Sequence, residues 1–151
     1  MLYISNIKRG IIISMGNLPL TRLKNILLVD DELDITFTIK DILEDNGGFK
    51  VVSFNDPITA LKSYKTDHYD LVILDIKMQK MDGFELYTKI REIDPNVKIC
   101  FLTASEMYYE KFRKIRSEFS KIIHEECFIQ KPIKAKDLIK RVKDKMSIAL
   151  L

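Results

Sequence analysis

Five short apolar runs, each followed by an amphipathic segment, are the feature of this sequence that most restricts its fold. The runs occupy residues 25–30, 49–54, 71–75, 97–102 and 126–130. Short runs that are apolar throughout are typical of strands buried on both faces of a parallel sheet. Because a helix is predicted after each run, the sequence predicts an α/β fold in which five helices cover both faces of a five-stranded sheet.

The amphipathic segments carry signals for the beginnings and the buried faces of the helices. Asp56 precedes Pro57, which predicts an N-cap followed by a proline in the first helical turn. Asp82 and Glu85 have the spacing of a capping box. Apolar stripes at helical spacing predict the buried faces of the first, fourth and fifth helices at Ile35, Thr38, Ile39, Ile42 and Leu43, at Tyr108, Phe112, Ile115, Phe119 and Ile122, and at Leu138, Val142 and Met146.

Composition excludes several classes of protein. The chain has 151 residues, which is enough for one domain of ordinary size. No uninterrupted apolar run approaches the roughly 20 residues that a membrane-spanning helix needs. Two cysteines, Cys100 and Cys127, exclude a disulfide-rich secreted scaffold and a four-cysteine zinc site. They predict reduced, buried thiols and a cytoplasmic location, while a zinc site formed with His68 and His124 would lack zinc-finger spacing.

Charge is unevenly distributed, although the net charge is only +3. Residues 25–105 contain 9 basic and 15 acidic residues, and residues 106–151 contain 12 basic and 7 acidic residues. The acidic part predicts a site for a cation or an electrophile, and the basic part predicts an interaction surface. The alternative for the basic part is a solvated surface with lysines in the last turns of helices.

Residues 1–24 differ from the rest of the chain because they show no lasting periodicity. We predict a flexible N-terminal arm, or at most a strand-like addition, without a charge partner of its own. Met15 is an alternative start of the protein. We predict one domain over residues 25–149 and no effector domain after it.

Polar residues stand where four of the predicted strands end. Asp30 and Asp31 follow the first strand, Asp75 the third, Thr103 the fourth and Lys131 the fifth. In an open parallel sheet these ends lie at one edge, where ligands bind. Clustered carboxylates repel one another unless a hard cation such as Mg²⁺ joins them. Together with a hydroxyl donor and a lysine, they predict a site for a phosphoryl group, with Asp75 as its acceptor.

With these residues in view, the sequence resembles the receiver domain of two-component response regulators. The resemblance covers about residues 25–149. The implied fold is a flavodoxin-like (βα)5 three-layer sandwich with the strand order 2-1-3-4-5, which is typical of receivers. The segments that carry the resemblance are Ile26–Glu32 (ILLVDDE), Leu71–Leu86 (LVILDIKMQKMDGFEL), Ile99–Ser105 (ICFLTAS) and Phe128–Ile133 (FIQKPI).

The resemblance implies a role for each site residue. Asp75 matches the phosphoacceptor, which is also a metal-site residue. The metal is Mg²⁺, with Asp31 as a direct ligand, Asp30 as a ligand through water, and the backbone carbonyl of Lys77 as the third protein ligand. The remaining roles fall on Thr103, whose hydroxyl moves onto the phosphoryl group, on Lys131, which pairs with that group, and on Phe128, at the aromatic switch position. The peptide bond between Lys131 and Pro132 is expected to be cis.

Three departures from the family pattern stand out. Gln79 occupies a position that is commonly proline, which predicts a more mobile loop after Asp75. Lys77 places a long cation beside the acyl phosphate, so the rate of dephosphorylation is left open. Thr103 and Lys131 are 28 residues apart, which is longer than the family pattern. The extra length falls in or after the fourth predicted helix.

The function that the resemblance implies is that of a stand-alone phosphoacceptor in a phosphorelay. A histidine kinase or a phosphotransfer protein supplies the phosphoryl group to Asp75. Phosphorylation then changes the face made by the fourth predicted helix, the fifth strand and the fifth helix, to which an unidentified downstream protein binds. A phosphorylation-dependent homodimer is left open. The chain is not expected to be an enzyme beyond self-catalysed phosphoryl acceptance and autodephosphorylation.

Three other functions are less well supported by the sequence. A haloacid-dehalogenase-type phosphatase would need a second aspartate two residues after Asp75, where Lys77 stands. A degenerate receiver that binds partners without phosphorylation is disfavoured by the complete set of acids, threonine and lysine. Nucleic-acid binding through residues 106–151 is disfavoured because the positive excess is modest and the aromatic residues lie on the predicted buried stripe.

Overall fold

The computed structural model describes residues 11–12, 21–104 and 127–147. Within these ranges, the chain forms seven strands and four helices. The strands are β1 (Ile11–Ile12), β2 (Thr21–Arg22), β3 (Asn25–Val29), β4 (Lys50–Phe54), β5 (Leu71–Asp75), β6 (Lys98–Thr103) and β7 (Cys127–Gln130). The helices are α1 (Leu33–Asp45), α2 (Pro57–Ser63), α3 (Gly83–Ile93) and α4 (Ala135–Lys145).

Strands β3 to β7 form one parallel sheet in the order β4-β3-β5-β6-β7. Numbered along the chain from β3, this order is 2-1-3-4-5, so the predicted flavodoxin-like topology is confirmed. Strand β5 is central, and all five of its residues are buried. In the register of the sheet, Asp75 lies opposite Leu102, and Thr103 lies opposite Gln130. The sheet therefore aligns the ends of β5, β6 and β7 at one edge.

Two hydrophobic clusters cover the two faces of the sheet. On one face, alternate strand residues such as Leu28 pack with Leu43 of α1 and Val142 of α4. On the other face, residues such as Leu74 pack with Ala60 of α2 and Leu86 of α3. The three inner strands, β3, β5 and β6, are buried on both sides for this reason, and the predicted three-layer sandwich is confirmed.

The predicted helix starts are confirmed at two capping residues. The carboxylate of Asp56 accepts a hydrogen bond from the backbone N–H of Thr59 at 3.0 Å, with Pro57 in the first turn. The carboxylate of Asp82 accepts one from the backbone N–H of Glu85 at 2.8 Å. These bonds satisfy N–H groups that a helix terminus otherwise leaves without partners.

One residue of the predicted stripe on α1 was assigned to the wrong face. Thr38 is exposed, and Thr36 is buried instead. The hydroxyl of Thr36 donates to the carbonyl of Leu33 and accepts from the side chain of Asn55, so its burial leaves no polar atom without a partner. The fifth predicted helix is confirmed as α4, whereas the fourth lies outside the described residues.

Part of the N-terminal region is joined to the domain by ion pairs. Strands β1 and β2 pair antiparallel in a small separate sheet. Nη2 of Arg22 lies 2.8 and 3.0 Å from the two carboxylate oxygens of Asp70, and Lys24 lies 3.7 Å from the same carboxylate. The expectation that residues 1–24 have no charge partner was therefore wrong, because Asp70, 48 residues after Arg22, is not visible as a partner in the local sequence.

Two further expectations concern the backbone and the helices. The peptide bond between Lys131 and Pro132 is cis, as predicted.

Across the part of the chain that the structure describes, no helix combines the length and the apolar character needed to cross a bilayer.

Candidate functional site

Three carboxylates meet at the edge of the sheet where β3 and β5 end. Asp30 and Asp75 are buried, and Asp31 follows Asp30 directly. One carboxylate oxygen from each of the three lies within 4.8 Å of the other two. The structure thus brings together the acidic residues that the sequence predicted at separate strand ends, and it does so through the parallel order of the sheet.

Lys131 enters this cluster from the end of β7. Its ammonium nitrogen lies 2.8 Å from Oδ2 of Asp30, 3.2 Å from Oδ1 of Asp75 and 3.1 Å from Oε1 of Glu32. The backbone N–H of Lys131 also donates to the carbonyl of Thr103 at 2.8 Å. The lysine is therefore fixed at two points. Its backbone is hydrogen-bonded to β6, and its ammonium group contacts three carboxylates.

The protonation equilibria reflect this crowding. Burial raises the pKa of Asp75 to about 7, and the charges of Asp30 and Asp31 contribute in the same direction. Burial also raises the pKa of Asp30, although the contact with Lys131 partly offsets it. Burial alone would lower the pKa of Lys131, but its close contact with Asp30 and the charge of Asp75 raise it above its usual value. The lysine is thus firmly cationic, whereas ionising Asp75 costs free energy.

The donor set of the cluster fits a divalent cation. All three groups are carboxylates, the ligand type preferred by hard cations. Oδ2 of Asp30 is buried and accepts no hydrogen bond of good angle from the described residues, its neighbour being the Lys131 ammonium. The cluster of Asp30, Asp31 and Asp75 could therefore hold a metal ion.

Backbone and amide groups fix the acidic residues in place. The side-chain amide of Asn55 donates to the carbonyl of Asp30 at 2.8 Å, and the backbone N–H of Glu32 donates to Oδ1 of Asp30 at 2.9 Å. The backbone N–H of Gln79 donates to Oδ2 of Asp31 at 3.2 Å. Proline has no N–H and could not donate this hydrogen bond. Glutamine at position 79 therefore gives the loop after Asp75 a contact with the acidic cluster.

The other predicted site residues lie around this centre. Thr103 is buried at the end of β6. Phe128 lies on β7, where its ring packs on Phe101 with centroids 5.4 Å apart. Lys77 follows Asp75 by two residues in the loop before α3, and its side chain is exposed. The roles implied for these three residues by the family resemblance remain predictions.

Sequence reasoning missed three residues that shape the site. Asn55 donates to Asp30, 25 residues away, and no local pattern marks it. Glu32 ends the segment ILLVDDE, but the sequence does not reveal its contact with Lys131, 99 residues away. Gly83 has a detectable signal, since it directly follows the capping residue Asp82. A Cβ atom at Gly83 would overlap the backbone carbonyl of Asp75 and lie 2.9 Å from Cα of Ile76. Only glycine allows α3 to begin this close to the end of β5.

The acidic cluster and the parallel sheet, apart from Asn25 at the start of β3, fall within a region that matches a known family. A family model for the response regulator receiver domain matches residues 26–143. The chain belongs to this family. The resemblance inferred from the acidic, threonine and lysine segments is therefore confirmed at the level of the receiver domain.

Individual relatives agree with this assignment. The alkaline phosphatase synthesis transcriptional regulatory protein PhoP of Bacillus subtilis (strain 168) is 32% identical over 120 residues, which are 80% of this chain and 47% of PhoP. The chemotaxis protein CheY of the same strain is 38% identical over 79 residues, which are 52% of this chain and 66% of CheY. The chain thus spans about half the length of PhoP and two thirds of CheY.

A solved structure gives the same result for the fold. The crystal structure of a CheY-like response regulator receiver domain protein from Methanospirillum hungatei JF-1 superposes with a TM-score of 0.68 at 31% identity. The superposition covers 83% of this chain and 94% of that protein. The chain is therefore similar to a receiver domain protein of another organism in both sequence and topology.

The contact at Gly83 generates a testable prediction. Gly83→Ala should lower the free energy of unfolding by about 1–3 kcal/mol, because the added methyl group displaces the backbone of Asp75. Urea unfolding measures this effect. In the control Gly48→Asn, the backbone has a φ of +70° and no heavy atom lies within 4 Å of an added Cβ. Asparagine tolerates that conformation, so equal losses in both variants would contradict the close-packing explanation.

Proposed function

We propose that this receiver domain accepts a phosphoryl group on Asp75 as part of a phosphorelay. The observation that carries the proposal is the contact of one lysine ammonium with two buried carboxylates, Asp30 and Asp75, at 2.8 and 3.2 Å. A phosphoryl group needs an oxygen nucleophile and a positive charge close to it. Asp75 supplies the nucleophile, and Lys131 supplies the charge.

In the proposed reaction, a carboxylate oxygen of Asp75 forms a bond to phosphorus as the bond between phosphorus and the donor breaks. Asp30, Asp31 and the backbone carbonyl of Lys77 would hold Mg²⁺, whose chemical contribution is to neutralise charge on the phosphoryl oxygens. Lys131 then exchanges its contact with Asp75 for one with a phosphoryl oxygen. This exchange is favoured because burial of Asp75 makes its own negative charge costly.

The proposed response to phosphorylation begins at Thr103 and Phe128. The Thr103 hydroxyl donates to the phosphoryl group, and the Phe128 ring moves into the space that the threonine leaves. Strand β7 and helix α4 then form part of the changed face, together with the fourth predicted helix, which lies outside the described residues. We propose that an unidentified downstream protein binds this face and that the chain acts in the cytoplasm.

A different surface is suited to the phosphoryl donor. Leu33 and Phe37, one helical turn apart on α1, are 69% and 73% exposed. Leu33 directly follows Glu32, whose carboxylate contacts Lys131. Helix α1 carries four acidic residues and one basic residue. A histidine kinase or phosphotransfer protein with an apolar patch flanked by basic residues would fit this surface and reach Asp75.

The acceptor assignment can be tested by labelling. Incubation of the wild type with acetyl phosphate and Mg²⁺ should add one phosphoryl group, measured as an increase in intact mass. Asp75→Asn should abolish the increase because the amide is not a nucleophile for this reaction. The control is Asp34→Asn, which removes an exposed carboxylate of α1 that is not in the cluster. Undiminished labelling of Asp75→Asn, or equal loss in Asp34→Asn, would contradict the assignment.

The donor surface can be tested separately from the chemistry. Phe37→Ser should slow phosphoryl transfer from a histidine kinase or phosphotransfer protein of the same genome by about fivefold or more, since a central aromatic contact is lost. Labelling by acetyl phosphate should not change, because a small donor needs no docking surface. Ile93→Ser is a matched control, since Ile93 is 44% exposed on α3. If Ile93→Ser slows protein-dependent transfer as much as Phe37→Ser does, the surface has been misassigned.

A further inference from the structure

Phe101 lies at the centre of a group of aromatic rings between the phosphoryl site and β7. It is located on β6, two residues before Thr103, and is 1% exposed. Its ring centroid lies 5.2 Å from Phe84, 5.4 Å from Tyr87 and 5.4 Å from Phe128. Among the described residues, Phe101 therefore contacts both the aromatic side chains of α3 and the aromatic side chain of β7.

The contact with Phe128 differs from the other two in its geometry. The planes of Phe101 and Phe128 are 26° apart, so these rings are stacked. Phe84 and Tyr87 meet Phe101 with tilted rings, at 57° and 52°. Both arrangements are favourable for aromatic pairs. A stacked pair loses overlap when one ring slides away, so movement of the Phe128 ring is opposed by this particular contact.

The backbone at Phe128 is fixed independently of its ring. The guanidinium group of Arg141, on α4, donates to the carbonyl of Phe128 at 3.1 Å. The same guanidinium group pairs with Asp137 at 3.1 Å. Phe128 also lies opposite Phe101 in the β6–β7 register. With the main chain held on both sides, the part of Phe128 able to change position is its side chain.

We propose that Phe101 is a positioning residue that holds the Phe128 ring in its resting position. The inference rests on the proposed function, in which that ring moves when Asp75 is phosphorylated. Phe101 contacts neither Asp75 nor the phosphoryl group, and it acts through the stack. The stack stabilises the resting conformation and so sets how much of the phosphorylated conformation is populated before any phosphoryl group is bound.

The ordinary alternative is that Phe101 only fills the core. In that case its replacement would lower the stability of the domain and leave the switch unaffected. The two explanations differ in their effect on the affinity for beryllofluoride, a mimic of the phosphoryl group that binds the switched conformation. If the stack opposes switching, loss of the stack increases this affinity, and a simple loss of core packing does not.

The test measures beryllofluoride affinity by calorimetry at a fixed, saturating concentration of Mg²⁺. Phe101→Leu keeps an apolar side chain in the core and removes the stack. Its affinity should be about two- to tenfold higher than that of the wild type, the range expected for one aromatic pair. Phe49→Leu is the matched control, because Phe49 is buried in the cluster on the opposite face of the sheet and does not belong to the Phe101 group. Its affinity should equal that of the wild type.

A second background shows whether the effect passes through Phe128. In a Phe128→Leu protein the stack is already absent, so adding Phe101→Leu should change the affinity by less than about twofold, as expected when the two residues act through one contact. Equal effects of Phe101→Leu in both backgrounds, or unchanged affinity in the single variant, would overturn the inference. Failure of the wild type to bind beryllofluoride would instead overturn the proposed function. The wild-type titration alone therefore separates a failure of the proposed function from a failure of the inference about Phe101.

Discussion

The contact of the Lys131 ammonium with the carboxylates of Asp30 and Asp75 is the interaction on which the site depends. Both carboxylates are buried, and two such charges in a medium of low polarity repel each other strongly. The ammonium lies within 3.2 Å of both and offsets that repulsion. Removal of one partner from a buried group of this kind leaves charge without compensation, which is more costly than removal of an exposed pair.

The fold produces this contact because three strands end at the same edge of a parallel sheet. Asp30 follows β3, Asp75 ends β5 and Lys131 follows β7. Asp30 and Asp75 are held in place by β3 and β5, which are buried on both faces. Helix α3 also begins against the backbone of Asp75, at Gly83. The rigid arrangement keeps like charges close together, and the cluster of Asp30, Asp31 and Asp75 could hold an added cation.

Much of this arrangement could be predicted from the sequence, because it follows from local patterns. Apolar runs that end in acids predicted the strands and the clustered carboxylates, and Asp56 and Asp82 predicted two helix starts. The contacts that the sequence did not reveal all join residues distant along the chain. Asn55 donates to the carbonyl of Asp30, and Arg22 pairs with Asp70. The wrong assignment of Thr38, rather than Thr36, to the buried face of α1 has the same origin. Burial of Thr36 depends on a hydrogen bond from Asn55, which lies in the loop after β4.

The central role of Lys131 is tested most directly by the free energy of unfolding of Lys131→Met in metal-free buffer at pH 8. The variant keeps the length and the apolar stem of the side chain and removes the charge between Asp30 and Asp75. We predict a loss of about 3 kcal/mol, as for other buried ion pairs from which one partner is removed. The control is Lys140→Met, which breaks an exposed pair with Asp144 and should cost less than about 1 kcal/mol. Equal, small losses in the two variants would contradict the conclusion that the site depends on Lys131.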